Sequence, residues 1–303
     1  MNVSKISVFW DITFAGYGDS ALITGSPNRT ASRFLFQDNN GSLYIAEGYS
    51  LHKKNSQIRQ NLLLEFLQNN QLVGIHPFYR TRNSEHGVQY NDLFWQIRPY
   101  IPAGNIPRTT LGEHADHGVL WGEFLLQFKK LCDIRSALPP LPNAPFYMIN
   151  FLPQLYNLAA VKMPDIRSKL QEFERRLAPF FRWERTANCM VAHGDFHPGN
   201  ILMEPDRIKA VIDWEFAGAK FPGYDMALLL GCLGMDHPKN LSSPAVVALQ
   251  NKLYAADYLP PEAWELLPQL IAATRLGWLG EWLDLNEKAL IEQEIEFISF
   301  LLS

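Results

Sequence analysis

Four chain breakers, Pro99, Pro102, Gly104 and Pro107, fall within nine residues at the end of the first third of the chain. Proline has no amide hydrogen and a fixed φ, so neither a helix interior nor a central strand runs through such a segment. It reads as a hinge at about residues 95–105, and the patterning differs on its two sides. Before it, Ala31–Gln37 and Ser42–Gly48 are β-rich runs joined by Asp38-Asn39-Asn40-Gly41, and Gly87–Tyr90 and Leu93–Ile97 are joined at Asn91-Asp92. Both are hairpin signals. One helix is expected between them, over about 56–70, where Ile58, Leu62 and Phe66, with Leu63 and Leu67, form an apolar stripe.

Beyond the break, helical periods dominate. Leu120, Phe124, Phe128 and Leu131 share a face within 113–131, and Ile166, Leu170, Phe173 and Leu177 share one within 164–181, where Glu172 and Arg176 are spaced to pair across a turn. Further helices are expected near 243–256, 261–283 and 287–302. The chain is therefore expected to be α+β, with a small β-rich lobe over 1–98 and a larger α-helical lobe over 99–303. With 303 residues, 47% of them hydrophobic and 19% charged, it has the apolar material for a real core and is neither disordered nor fibrous.

Composition excludes several functions. A net charge of -4 does not suit nonspecific nucleic-acid binding, which needs clustered cations. No run of 18 uncharged apolar residues is present, and the N-terminus, with Lys5 and Asp11, does not read as a secretory leader. No membrane partner is expected. Cys132, Cys189 and Cys232 are far apart, without zinc-site spacing, and a reducing cytoplasm is the expected setting.

The densest polar cluster is His193-Gly194-Asp195-Phe196-His197-Pro198-Gly199-Asn200, followed by Asp213-Trp214-Glu215. Each Asp follows a short apolar run and precedes turn residues, which suits side chains shown at strand ends. Phosphoryl transfer needs a carboxylate to orient the attacking hydroxyl and hard oxygen ligands for Mg²⁺. Asp195 fits the first requirement, and Asn200 with Asp213 the second. Singly, Asp195 and Asp213 read as cap or turn residues and His193 as a buried histidine; only the combination carries the chemistry. Gly194-Asp195-Phe196-His197 is also similar to the G-D-x-H signature of metallophosphoesterases, but downstream only His237 remains to complete such a site.

The segments HGDFHPGNIL (193–202), VIDWEFAG (211–218) and Tyr224-Asp225-Met226-Ala227 resemble the aminoglycoside phosphotransferase and choline kinase branch of the protein-kinase-like superfamily. Through its lobe order, the resemblance covers most of the chain. It implies a two-lobed kinase-like fold and a small-molecule kinase using ATP or GTP with Mg²⁺. Position by position, it implies that Asp195 is the catalytic base, that His193 braces its loop, that Asn200 and Asp213 bind magnesium, and that Asp225 is structural. Gly194 stands where regulated protein kinases usually carry Arg, and no long activation segment separates Asp213 from Asp225. A small bacterial protein kinase is thereby disfavoured.

For the nucleotide, no Walker A motif is present. Gly16-Tyr17-Gly18-Asp19-Ser20-Ala21 matches a dinucleotide fingerprint without the helix that fingerprint requires. The expected phosphate loop is Thr24 to Thr30, with Gly25, Ser26, Asn28 and Arg29 as cofactor contacts, and Gln96, Ile97 and Arg98 at the hinge are the adenine candidates. One departure stands out: Glu47 occupies the strand position where the family carries a lysine. An inverted Glu47–Arg59 pair is the expected compensation, with Lys53 or Lys54 as the alternative cation. Glu47 also leaves open a nucleotide-binding pseudokinase. For the acceptor, the late helices offer Trp278, Glu281, Trp282 and Asp284, with Glu215 and Tyr224. Residues 210–303 hold 5 Lys+Arg against 13 Asp+Glu, which favours a cationic or polyhydroxyl acceptor. Glu292, Glu294 and Glu296 are expected to form a solvated helix face.

Overall fold

In the turn Asp38-Asn39-Asn40-Gly41, the Asp38 carboxylate accepts the amide hydrogens of Asn40 and Ser42, each at 2.9 Å, and Gly41 takes a positive φ of 80°. This Asx turn reverses β2 (Ser32–Asp38) into β3 (Leu43–Ser50). A second two-residue turn, with Asn91 and Asp92 both at positive φ, joins β4 (Val88–Tyr90) to β5 (Leu93–Pro99). With β1 (Phe14–Tyr17) they form one antiparallel sheet in the order β1-β2-β3-β5-β4. The computed structural model describes residues 3–23, 30–102, 104, 106–133 and 137–303.

One face of this sheet is covered by α1 (Ser4–Ser7) and the turn after it, where Val3, Ile6 and Trp10 pack on Phe36, Ala46, Trp95 and Ile97. The helix α2 (Lys54–Asn69) packs elsewhere: its Leu63, Leu64 and Leu67 join the large core of the helical region, together with Leu72, Ile75 and Phe78. Its buried face is rotated from the expected stripe. Ile58, Leu62 and Phe66 are only partly covered, whereas Gln57, Gln60 and Asn61 are buried. Asn61 is held inward by Phe78, donating to its carbonyl (3.2 Å) and accepting from its amide (2.8 Å), whereas Gln57 and Gln60 line the cleft that Glu47 also borders.

Beyond the Pro-rich connector lie α3 (Ala115–Cys132), α4 (Met148–Lys162), α5 (Arg167–Arg176) and α6 (Ala178–Glu184). The stretch 164–181 is thus divided at Leu177, where Pro179 finds the first turn of a new helix, the position that tolerates a missing amide hydrogen. Two small antiparallel ribbons follow, β6 (Met190–Ala192) with β9 (Gly218–Lys220) and β7 (Ile201–Glu204) with β8 (Arg207–Val211). Then come α7 (Tyr224–Asp236), α8 (Pro244–Ala255), α9 (Pro261–Glu265), α10 (Leu267–Leu285) and α11 (Lys288–Leu301). Among the described residues, no helix is long and apolar enough to cross a membrane.

Glu172 and Arg176 pair as expected at 3.2 Å, but Glu294 does not lie on a solvated face. It is 0% exposed and bonded to the guanidinium of Arg275, which also lies against Cys232 (3.3 Å) and faces the Trp278 ring; the Trp282 indole donates to the same carboxylate at 3.2 Å. This buried pair ties α11 to α10 and α7. Removing one member strands the other charge in the core, so Glu294→Ala is expected to cost about 3–5 kcal/mol. Arg275→Met combined with Glu294→Leu should recover most of that loss in urea unfolding; a double variant as unstable as the single one would contradict this account.

Candidate active site

The site is assembled around a backbone turn that only glycine can make. At the end of β6 the chain passes through Gly194 at φ 85°, and a Cβ there would collide with the Phe216 carbonyl and sit 2.7 Å from Cε of Lys220. This explains why the bulky residue of regulated kinases is missing at this position. The turn is held by Asp225, in the first turn of α7, whose two carboxylate oxygens accept the amide hydrogens of His193 (2.7 Å) and Gly194 (2.9 Å).

His193 is 0% exposed, and both of its ring nitrogens are engaged. Nδ1 accepts the Asp195 amide hydrogen at 3.1 Å, which leaves the proton on Nε2 to donate to the Ile212 carbonyl at 2.9 Å. The ring thus ties the Asp195 turn to the end of β8. His197 likewise uses Nδ1 to accept the Gly199 amide (3.1 Å), while Nε2 stands 3.6 Å from Asp195 Oδ1. His193 thus has no ring nitrogen left for a metal, so the two histidines do not serve as a ligand pair. Asp195 is buried, and Asn200 Nδ2 donates to both its carbonyl and its Oδ2, each at 2.9 Å.

That double donation leaves Oδ1 as the remaining polar atom of Asn200. The Ile212 amide donates to the Asn200 carbonyl at 2.9 Å, which sets Asp213, at φ 61°, beside it at the open end of the β7–β8 ribbon. Among the described residues, no group of three or more His, Cys, Asp and Glu could hold a metal by itself. One amide oxygen and one carboxylate do suit Mg²⁺, which keeps several waters and takes its other oxygens from phosphate.

Burial controls the charges here. It pushes His193 down to about 4, so the imidazole is neutral, and it pushes Asp225 up to about 6 against the two amide hydrogens and Lys220 that favour its carboxylate. Glu47, 2% exposed, shows the opposite balance: burial works to raise it, but the guanidiniums of Arg98 and Arg33 hold it at about 2.

The partners of Glu47 differ from expectation. Arg33 Nη2 lies 2.5 Å and Arg98 Nε 3.2 Å from its carboxylate, and Tyr49 donates to it at 3.1 Å. Arg59 is exposed on α2 and takes no part, because the antiparallel register sets Arg33 directly opposite Glu47 while the polar face of α2 presents Gln57 and Gln60. Lys54 lies over the Phe94 ring instead. Arg33 also reaches across the cleft to within 4.0 Å of Asp213. Around these charges runs a narrow cleft of about 50 Å³ lined by Thr30, Tyr49, His76, Arg98, Ile101 and Glu215 among others.

Of the hinge candidates, only Arg98 lines this cleft. Gln96 and Ile97 lie within β5 with buried side chains; Gln96 donates to the His86 carbonyl, and the Ile97 carbonyl accepts from Tyr79 at 2.8 Å. Both residues are registered against β3, Gln96 opposite Glu47 and Ile97 opposite Ala46, and neither side chain lines the cleft. Gly25, Ser26, Asn28 and Arg29 lie outside the described residues. The apparent dinucleotide fingerprint is the end of β1 and a short turn at Ser20–Leu22, and among the described residues no helix of the required length follows before β2.

On the other side of Asp195 opens a cavity of about 220 Å³, lined by Phe146, Phe151, Phe216, Tyr224 and Trp278 around Asp195, Lys220 and Glu281. Tyr224, Trp278 and Glu281 were expected here from the sequence. Glu215 was too, but it faces the nucleotide-side cleft. Trp282 is turned to Glu294, and Asp284 is exposed, with its carbonyl accepting from Lys162. Arg33 and Lys220 are the site groups that sequence reasoning missed, and His197, read there only as part of the polar cluster, stands beside Asp195. Only Arg33 had a usable signal, its place opposite Glu47 in the first hairpin.

A family model described as "Phosphotransferase enzyme family" matches residues 27–267. A homoserine kinase of Sinorhizobium medicae (strain WSM419) is 30% identical over 115 residues, 36% of this chain and 35% of that protein, so the match takes in about a third of the relative's length. The whole fold is similar to that of an aminoglycoside phosphotransferase from Alicyclobacillus acidocaldarius (TM-score 0.58, 15% identity, 99% and 95% of the two chains). It is also similar to an AMP-bound spectinomycin phosphotransferase (TM-score 0.65, 14% identity, 98% and 96% of the two chains).

A neutral, buried His193 has a pH signature. Unfolded, it takes a proton below pH 6.5, whereas folded it resists until about 4, so its contribution is complete above pH 6.5 and is lost as pH falls from 6.5 towards 4. Asp225, raised by burial, works in the opposite sense and cancels when variants sharing it are compared. The stability gap between the protein and His193→Asn should therefore narrow by roughly 3 kcal/mol over that window. Urea unfolding at stepped pH measures it, and a gap independent of pH would contradict the assignment.

Proposed function

The chain belongs to the phosphotransferase enzyme family, and we propose that it moves the γ-phosphoryl group of a magnesium-bound ATP or GTP to a hydroxyl of a small-molecule acceptor. The observation that carries this reading is that Asp195 opens on the ring-lined cavity and is bonded by Asn200, while Asp213 lines the charged cleft. Residues 1–98 are assigned to the nucleotide and 99–303 to catalysis and the acceptor. The setting proposed is cytoplasmic, in keeping with three unpaired cysteines.

In the proposed step, the acceptor hydroxyl oxygen bonds to the γ-phosphorus as the bond from that phosphorus to the β,γ-bridging oxygen breaks. The nucleoside diphosphate leaves, and the hydroxyl proton passes to the Asp195 carboxylate. Asn200 holds that carboxylate by Oδ2 so that Oδ1 faces outward, and His197 stands beside Oδ1. His193 braces the turn without touching a reactant. Asn200 and Asp213 would hold magnesium together with the phosphates, and the ion would supply charge compensation for the transferred group.

Glu47 favours a second reading, a nucleotide-binding protein with little turnover. Arg33 answers it. Its Nε and Nη2 bond Glu47, and the same Nη2 stands 4.0 Å from Asp213 across the cleft, so a cation from β2 takes the place of the strand lysine. Glu47 orients that cation, and Arg98 balances the third charge.

Nucleotide binding followed by acceptor-dependent ADP release tests this. Asp195→Asn should cut kcat by about 10²–10⁴-fold and leave nucleotide affinity within a few-fold. Arg33→Ala should raise KM for ATP about tenfold or more, with a smaller change in KM for the acceptor. Glu47→Lys, which sets three cations together, should weaken both folding and nucleotide binding. Wild-type turnover in Asp195→Asn would overturn the mechanism, and tight nucleotide binding without transfer to any hydroxyl compound would favour the second reading.

A further inference from the structure

The cavity beyond Asp195 is charged differently from the lobe that contains it. The last ninety-four residues carry a large acid excess, yet the cavity wall has only two carboxylates, Asp195 and Glu281, and Glu281 is exposed at the rim. Deep in the wall sits Lys220 at the end of β9, 6% exposed. Its ammonium group lies 5.1 Å from the centres of both the Phe146 and Tyr224 rings, and among the described residues it forms no ion pair or hydrogen bond with a carboxylate. Asp225 and Asp195 act on it through space, and two aromatic faces hold it, but its donors remain unused. An ammonium group carries three donors, and a buried cation is retained at a cost unless something accepts them.

Resting on the phosphotransferase reading, we infer that Lys220 binds an anionic group, a carboxylate, on the hydroxyl acceptor, and that the acceptor is a small hydroxy acid with an apolar or planar body. Three features of the cavity agree. Its volume of about 220 Å³ lies below the roughly 300–1,000 Å³ of sites for drug-sized ligands, which suits a metabolite-sized compound. Its other walls are rings and aliphatic groups, namely Phe146, Met148, Phe151, Tyr224, Leu228 and Trp278, which stack against a flat or hydrocarbon body and offer a sugar hydroxyl little to bond. Of the two hydroxyl side chains in the wall, Thr274 and Tyr224, Thr274 already donates to the Ile271 carbonyl at 2.8 Å. Lys220 adjoins Gly194, the residue before Asp195, so a carboxylate and a hydroxyl on one short molecule reach the cation and the base together.

The test uses matched pairs that differ only in charge: L-homoserine with its amide, and 4-(hydroxymethyl)benzoate with 4-(hydroxymethyl)benzamide. Binding is measured by calorimetry on the full chain with AMP-PNP and Mg²⁺, and transfer by ADP release with ATP. At least one acid should bind tenfold or more tightly than its amide. Lys220→Met should erase that preference by weakening the acid alone. Because Lys220→Met removes a cation near two buried carboxylates, its folding is checked by thermal melting, and the acid-to-amide ratio in the unaltered protein decides the question without the variant. Equal binding of acid and amide, binding of neither pair, preference for cationic amino alcohols or aminoglycosides, or an equal loss for acid and amide in Lys220→Met would each overturn the inference; the last would place Lys220 on the transferred phosphoryl group. An acid preference in binding with no transfer of phosphate would leave Lys220 as the anion site and defeat the kinase reading instead.

Discussion

Two amide hydrogens on one buried carboxylate hold the active site together. Asp225 accepts from His193 and Gly194 at 2.7 and 2.9 Å, and because it sits in the first turn of α7 it is also favoured by that helix's positive end. The geometry of Asp195 follows from that clamp: the positive-φ turn at Gly194 aims the next residue outward, and His193 closes the loop onto Ile212. Since Ile212 in turn donates to the Asn200 carbonyl, one chain of hydrogen bonds fixes the base and both proposed metal ligands. The cost is a carboxylate kept in apolar surroundings, offset by donors that a mobile loop could not supply.

How much of this was legible in the sequence depends on the range of the interaction. The Asn-Gly and Asn-Asp turns, the α3 and α8 helices and the Asp195-Asn200-Asp213 spacing depend on neighbours in the chain and were all readable. The helix α7 was not, because Leu228, Leu229, Leu230 and Leu233 are buried around its whole circumference, and a helix covered on all sides has no amphipathic period. On α2 the expected stripe is buried at Leu63 and Leu67 but only partly covered at Ile58, Leu62 and Phe66, because Asn61, held by both backbone groups of Phe78, turns the inner surface towards itself. Lys220 gave no signal at all: a single lysine after β9 acquires meaning only when Gly194, Phe146 and Tyr224 converge on it from three other segments.

Glu47 shows a different kind of error. The first hairpin, correctly placed, implied that Arg33 faces Glu47, since the register that pairs Ser32 with Gly48 pairs the next residues as well. The partner was sought on the following helix because the family's lysine finds its acid there. A local rule available in this chain was passed over for a rule carried in from outside. The acid excess of the C-terminal region is likewise partly internal, since Glu294 is neutralised by Arg275 and the cavity carries a cation of its own.

The inverted charge pair also changes how the two lobes are connected. At the back, the loop after α2 is fastened to the helical lobe by the Val211 amide on the Gly74 carbonyl (2.9 Å) and by His76 on the Lys209 carbonyl (3.1 Å). At the front, Arg33 on β2 stands 4.0 Å from Asp213 on the opposite lobe. A lysine on β3 would point its charge into the cleft from the sheet interior, whereas Arg33 is held by Glu47 and spans towards the metal-ligand position from the neighbouring strand. The backbone bonds make the rear of the cleft a fixed edge. Motion of the sheet about that edge therefore acts directly on the Arg33–Asp213 separation, where a triphosphate would have to fit between them. In the proposed reaction a change in that one distance would link nucleotide binding to lobe closure, with Glu47 setting the direction from which the cation arrives.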